Sequence, residues 1–334
     1  MGEIIRNPLL SSEIAGLWNS YTGDTMIVCL LKQFLNRVDD SATRALLQQT
    51  SDLSAQHIQE VTDIFKQEKL PIPHGFDDND VNVDAPRIFT DAFYLTFLSF
   101  MARVGMHNYT LILNQLARSD IRAFFSKRII EYIDLFNNSA DLRISKGIAV
   151  KAPRVEVPKE VQYVKRQSFI TDWFGEKRPM LTIEITHIFG LIFANLLGRA
   201  ISTAFGQSSK DKKISDFFFE GKELSTKLIS ELSELLTDEG IPIPSSSDSF
   251  VTDSTVAPFS EKLMLAHSEL LAASSTASLG MAMADTMRSD LEAKYVKYVA
   301  LVMNHGKKGA NIMIDNGWLQ QPPQAVKHEN LVRV

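Results

Sequence analysis

Apolar residues recur along this chain at three- and four-residue steps, the spacing of one face of an α-helix. Ile14, Leu17, Tyr21, Val28, Leu31 and Leu35 mark a first long helix, with one wider gap. Leu46, Leu53, Ile58, Val61 and Phe65 mark a second, and Ile121, Phe125, Ile129, Tyr132 and Phe136 a fourth. The third, about residues 87 to 116, is apolar on almost every side: Phe93, Tyr94, Leu95, Phe97, Leu98, Phe100 and Met101 leave little polar face. A helix of that kind has to be enclosed by its neighbours.

The pattern is then written a second time. Leu70-Pro71-Ile72-Pro73 returns as Ile241-Pro242-Ile243-Pro244, and Ala85-Pro86 as Ala257-Pro258. Ala117-Arg118-Ser119-Asp120 returns as Met287-Arg288-Ser289-Asp290, Gly147 as Gly317, and Ser11-x-Glu13-Ile14 as Thr182-x-Glu184-Ile185. The spacing stays close to 171 residues throughout, which identifies a duplicated unit of four helices.

The punctuation suits helix ends. Ser11 and Thr182 stand where N-cap hydroxyls would, with Glu13 and Glu184 in the first turn facing the positive end of the helix dipole. Pro86 and Pro258 suit the first turn of the third helix of each half, and Ser119 and Ser289 the cap of the fourth. Gly147 and Gly317, each followed by an apolar residue, read as C-terminal caps.

Short turns join the first helix to the second and the third to the fourth, so those pairs are expected to be antiparallel. Between the second and third lie roughly 17 residues, Leu70 to Pro86 and again Ile241 to Pro258, enough extended chain to run the length of a helix of about 38 Å. A four-helix bundle with one long crossover is the ferritin-like arrangement. The sequence therefore predicts an all-α protein of two tandem ferritin-like bundles, over residues 1–147 and 180–317. An extended arm over 148–179 joins them, its Val155, Val161, Tyr163, Phe169, Trp173 and Phe174 expected to find cover, and a tail follows over 318–334.

Composition narrows the function classes. A chain of 334 residues with 45% hydrophobic and 22% charged residues reads as globular. A net charge of −5 offers no basic face for nucleic acid, so no nucleic-acid partner is expected. The single cysteine, Cys29, excludes an intramolecular disulfide framework and reads as an inert core thiol. Met1 to Leu10 lacks the apolar core of a signal peptide, so a cytoplasmic protein is expected rather than one secreted by that route. The most apolar stretch, Ile188 to Gly198, is too short for a membrane span.

Candidate chemistry is sparse. Ferritin-like bundles can hold two metals, using one glutamate from each of two helices and a Glu-x-x-His pair from each of the others. One such pair exists, Glu184 with His187, and its first-half counterparts are Glu13 and Gly16. His57 with Glu60 is the other suggestive pair. Shifted by 171, His57 lands on Leu228, so no histidine site is duplicated, and no cofactor is expected beyond iron or manganese at these four residues. No P-loop, dinucleotide fingerprint or nucleophile elbow is present. In the second half, Ala272 to Ala284 is almost wholly small residues and methionine, which packs helices closely or leaves an apolar groove along Met281, Met283 and Met287.

Ile4 to Ile14, Leu70-Pro71-Ile72-Pro73-His74-Gly75-Phe76, Asp172-Trp173-Phe174-Gly175 and Gly317-Trp318-Leu319 together resemble a family from endospore-forming bacilli. Its members are tandem ferritin-like proteins of uncharacterised function, labelled spore coat proteins for their likeness to the coat protein F group. The resemblance covers essentially the whole chain. It implies a ferritin-like fold and a spore association, and carries no catalytic or ligand residues with it. The balance favours a non-enzymatic structural or interaction protein, self-associating or meeting spore-coat proteins through apolar helix faces. A degenerate metal-binding or oxidase-type protein, or an apolar small-molecule binder, are the alternatives.

Overall fold

The computed structural model describes residues 7–170, 177–243 and 249–326. They form eight α-helices: α1 (Ser11–Arg37), α2 (Ser41–Gln67), α3 (Asp91–Leu113), α4 (Ser119–Ser145), α5 (Thr182–Ser208), α6 (Lys212–Thr237), α7 (Glu261–Asp285) and α8 (Ser289–Asp315). The two halves repeat one another helix for helix. In the first, α1 packs along α2 and α3 along α4, and the pairs close on each other through α1 with α3 and α2 with α4. In the second, α5–α6 and α7–α8 close through α5 with α7 and α6 with α8. The chain is all-α and two-domain, with a long crossover between the second and third helix of each half.

Several helix ends differ from the sequence reading. The third helix of each half starts later, at Asp91 and Glu261, capped by the hydroxyls of Thr90 and Ser260, which accept the N–H of Phe93 and of Leu263. Pro86 and Pro258 therefore lie in the crossovers, and they are not equivalent. The N–H of Thr252 bonds the carbonyl of Ile88 and that of Asn82 the carbonyl of Pro258, so Pro258 is the counterpart of Ile88. Ser11, Thr182, Ser119 and Ser289 are first helical residues rather than caps. At α1 and α5 the capping is done by the carboxylates three residues after the cap: Glu13 accepts the N–H of Leu10 and Glu184 that of Leu181, both at 2.8 Å. Gly147 and Gly317 end α4 and α8 with φ of 70° and 67°. The N–H of Ile148 and of Trp318 then returns to the carbonyls of Arg143 and Met313, a Schellman closure. Gly75 has φ of 62°, and a Cβ there would meet Thr25 Oγ1 at 2.5 Å.

An extended crossover has no partners of its own for its backbone groups. Here each crossover supplies them to the other. Val81 bridges Phe259 and Phe89 bridges Val251, both antiparallel. The N–H of Thr90 bonds Phe250 O at 3.1 Å, and that of Ser260 bonds Asp80 O at 2.9 Å. Every backbone contact between the crossovers is matched by its counterpart with the halves exchanged, the signature of an isologous, two-fold interface. The side chains obey the same symmetry. Phe34 meets Phe259 at 6.3 Å and Phe89 meets Phe205 at 6.3 Å, as Phe34 and Phe205 are equivalent in α1 and α5. On the axis, Phe97 of α3 faces its equivalent in α7, His267, at 5.7 Å. One apolar core thus runs through both halves, flanked by a separate cluster in the outer part of each bundle.

The arm leaves Val161 and Tyr163 91% and 86% exposed, against the expectation of cover, while Val155 packs partly on the second bundle. Phe169 lies under the Arg178 guanidinium, and the carbonyl of Ile170 accepts from Ser289 at the start of α8. Trp173 and Phe174 lie outside the described residues. Helix α5 is longer than its apolar run suggested. By length and composition alone it could cross a membrane, with a mean hydropathy of 1.6, but half of that window is packed inside the protein.

His267 is buried with no hydrogen-bond partner on either ring nitrogen among the described residues, and burial pushes its pKa down to about 4. The unfolded imidazole titrates near 6.5, so the unfolded state binds the extra proton between those values and stability falls as pH drops from 6.5 to 4, by up to about 3 kcal/mol. His267→Phe is expected to raise the melting temperature more at pH 4.5 than at pH 7.5, and an equal shift at both would assign the acid sensitivity elsewhere. Phe89→Ala and Phe259→Ala, symmetry-related and fully enclosed, should each cost about 3–5 kcal/mol in denaturant unfolding.

Candidate functional site

The polar residues inside each bundle sort into those the halves share and those they do not. The shared ones lock helix ends. Arg118 clasps Asp120 with two bonds of 3.1 and 2.7 Å and reaches Glu68 at 2.6 Å, while Glu13 accepts the N–H groups of Ala117 and Arg118. Arg288 repeats this with Asp290 and Glu239, and Glu184 accepts from Met287. The recurring Arg-Ser-Asp is thus an ion lock that pins α4 or α8 to the end of α2 or α6.

A second group belongs to the first bundle alone, at mid-height, where facing helices can direct polar side chains into a bundle core. His57 on α2 sits between two carboxylates: Nε2 is 2.8 Å from Glu131 Oε2 on α4, and Nδ1 is 3.3 Å from Asp24 Oδ1 on α1. Arg128, wholly buried one turn from Glu131, bonds Glu60 at 2.9 Å and Glu131 at 3.4 Å, with its guanidinium over the Phe124 ring. Ser20 closes the group, donating to Asp24 at 3.2 Å and meeting the Tyr109 hydroxyl at 3.1 Å. Burial pulls the His57 pKa down, but the bonds to Asp24 and Glu131 outweigh it and the net shift is upward. For Glu131, burial pushes up and His57 and Arg128 prevail, holding the carboxyl below its ordinary value. The bonds to Asp24 and Glu131 thus favour the charged imidazole, which with the Arg128 guanidinium opposes the charge of the carboxylates around it.

Sequence reasoning found His57 and Glu60 but missed Asp24, Arg128, Glu131 and Tyr109. The available signal was that Asp24 is the sole acid in α1 beyond its first turn. At the equivalent positions the second bundle has Asn195, Leu228, Tyr298 and Leu301, and only Glu231 keeps the carboxylate of Glu60. A cavity lies beside each centre in matching places. The first is about 30 Å³, beside His57 and Glu131. The second is about 80 Å³, opened by Gly198 and Gly221 where the first bundle has Ile27 and Thr50, and bordered by Ser225, Ser275 and His305.

The four candidate metal ligands are carried to three surroundings. Glu184 is buried against Arg178, with bonds of 2.9 and 2.7 Å, under the start of α5. His187 bonds Asp285 at 2.8 Å near the surface. Only His57 and Glu60 share a cluster, and both ring nitrogens of His57 are committed to carboxylates. Among the described residues no group of three or more His, Cys, Asp or Glu is arranged to hold a metal ion. The donor set does not fit a di-metal centre. Of the methionines, Met281 borders a cleft between α3, α5 and α7, Met283 packs against the second core, and Met287 is half exposed at the end of α7. Cys29 donates to Asp77 O, and burial pushes its thiol up to about 12.

His57→Leu, which copies the second half, is expected to destabilise by about 3–5 kcal/mol because Asp24 and Glu131 lose their cation. Asp24→Asn, His57→Leu, Arg128→Tyr and Glu131→Leu together should recover most of that loss in the same denaturant titration. The native pKa of His57 is raised, so its contribution is complete below about pH 6.5 and is lost as pH rises through the native value. A His57 imidazole signal titrating below 6.5 by NMR would contradict this.

No curated protein matches the chain. Among solved structures it is similar to one described as a "putative spore coat protein" from Bacillus halodurans C-125, with 17% identity and a TM-score of 0.41, over 45% of this chain and 98% of that one. A family described as "protein of unknown function (DUF3231)" matches twice, over residues 4–161 and 168–331. With a matched segment in each half, the chain belongs to that family as a tandem of two repeats.

Proposed function

We propose that this protein is a non-enzymatic structural or interaction protein built on two ferritin-like bundles, and that it serves in sporulating cells. The observation that carries the first part is His57, whose two ring nitrogens are both tied to carboxylates while Arg128 bonds Glu60 and Glu131 beside it. With its donors committed to one another, the centre offers no vacant set of ligands for a metal. The second bundle supports the same reading, with Leu228, Tyr298 and Leu301 in those places. Its cavity holds no paired carboxylates. The spore assignment is supported by the resemblance of motifs in this chain, Leu70 to Phe76 and Gly317 to Leu319 among them, to a tandem family from endospore-forming bacilli.

Two measurements test it. Protein from iron- and manganese-supplemented medium is expected to carry far less than one metal per chain by elemental analysis. Stoichiometric metal that is lost in His57→Ala would overturn the structural reading. A fluorescent fusion is expected at the forespore or coat during sporulation, and uniform vegetative expression would sink the spore assignment.

A further inference from the structure

Between α3 of the first half and α5 and α7 of the second lies a cleft of about 370 Å³, within the usual range for small-molecule sites. Its walls are mainly apolar, from Phe189, Leu191, Phe193 and Met281, and none of its lining residues is acidic. One full charge faces it, Arg103 of α3. Its guanidinium stacks on Phe100 at 5.1 Å and is otherwise without an ion pair or hydrogen bond among the described residues. Arg118, Arg128 and Arg288, by contrast, each hold two carboxylates. Asp285, outside the lining, pairs with His187 of the cleft wall.

Packing symmetry does not account for the charge. The position equivalent to Arg103 in α7 is Ala273, and His107, one turn further on, is matched by Ala277. Gly190 on α5 keeps the space in front of the guanidinium open; a Cβ there would come within 3.9 Å of Arg103 Nη1. Arg103 is half-buried, and partial desolvation penalises an uncompensated cation, as the downward shift of its pKa reflects. An anion bound in the cleft removes that penalty and gains a charge-assisted, bidentate contact.

We infer that this cleft binds a small amphipathic monoanion, a carboxylate with an unbranched apolar tail, its head on Arg103 and its tail against Phe189, Phe193 and Met281. One guanidinium balances one carboxylate, whereas a phosphate would call for further cations that the cleft does not have. This goes beyond the structural role proposed above, since a ligand at the seam between the halves needs nothing from the His57 cluster.

Isothermal titration of the full-length protein with decanoate, below its micellar concentration, tests the inference. One site per chain is expected. Arg103→Gln should weaken binding at least tenfold with an unchanged or higher melting temperature. Gly190→Leu, which keeps the charge but fills the space before it, should abolish binding while the protein still melts cooperatively. Absence of decanoate binding to the wild type, equal affinity for decanol or inorganic phosphate, or unaltered binding in both variants would each overturn it.

Discussion

The pairing of the two crossovers is the constraint on which the rest of the molecule depends. An extended segment laid across a bundle must find partners for its N–H and C=O groups, and a lone bundle offers only helix sides, whose backbone is already satisfied. The antiparallel contacts from Asp80 to Thr90 and from Phe250 to Ser260 meet that need reciprocally. They also bring Phe34, Phe89, Phe205 and Phe259 to one axis, so that the largest apolar cluster belongs to both halves. The aromatic surface of α3, too extensive for one bundle to cover, is enclosed because the second half lies against it.

The shared and unshared polar groups then have different tasks. Glu13, Arg118 and Asp120, with their counterparts Glu184, Arg288 and Asp290, hold helix ends in register, which explains why they are written twice. The chain from Asp24 through His57 to Glu131 is written once. It lies at mid-height in the first bundle, and its charges neutralise one another there. Arg103 is likewise written once, and unlike Arg118, Arg128 and Arg288 it holds no carboxylate among the described residues.

The eight helices, both crossovers and the two glycine closures were legible because each rests on local periodicity or on a residue with one conformational use. Helix starts were less so. A serine or threonine before an apolar stripe looks like a cap, yet Glu13 and Glu184 do that work from three residues inside, and Thr90 and Ser260 do it where prolines drew attention. His57 and Glu60 were visible as a pair one turn apart. Their partners were not, because Asp24 and Glu131 lie 33 and 74 residues from His57, and the sequence does not state the lateral register of helices. Arg103 was silent for a simpler reason: an arginine on a helix reads as solvated until its neighbours are known.

Joining two equivalent units in one chain also changes what a substitution means at their axis. In an assembly of two identical subunits, every change appears twice, and a histidine at this position would face its own copy across the seam. Two desolvated imidazoles would meet there, each without a partner. In the tandem chain the change appears once, and His267 faces the ring of Phe97 instead. Covalent linkage thus relaxes self-complementarity, and lets one side of an interface take on a titratable group that a symmetric pair could not accommodate.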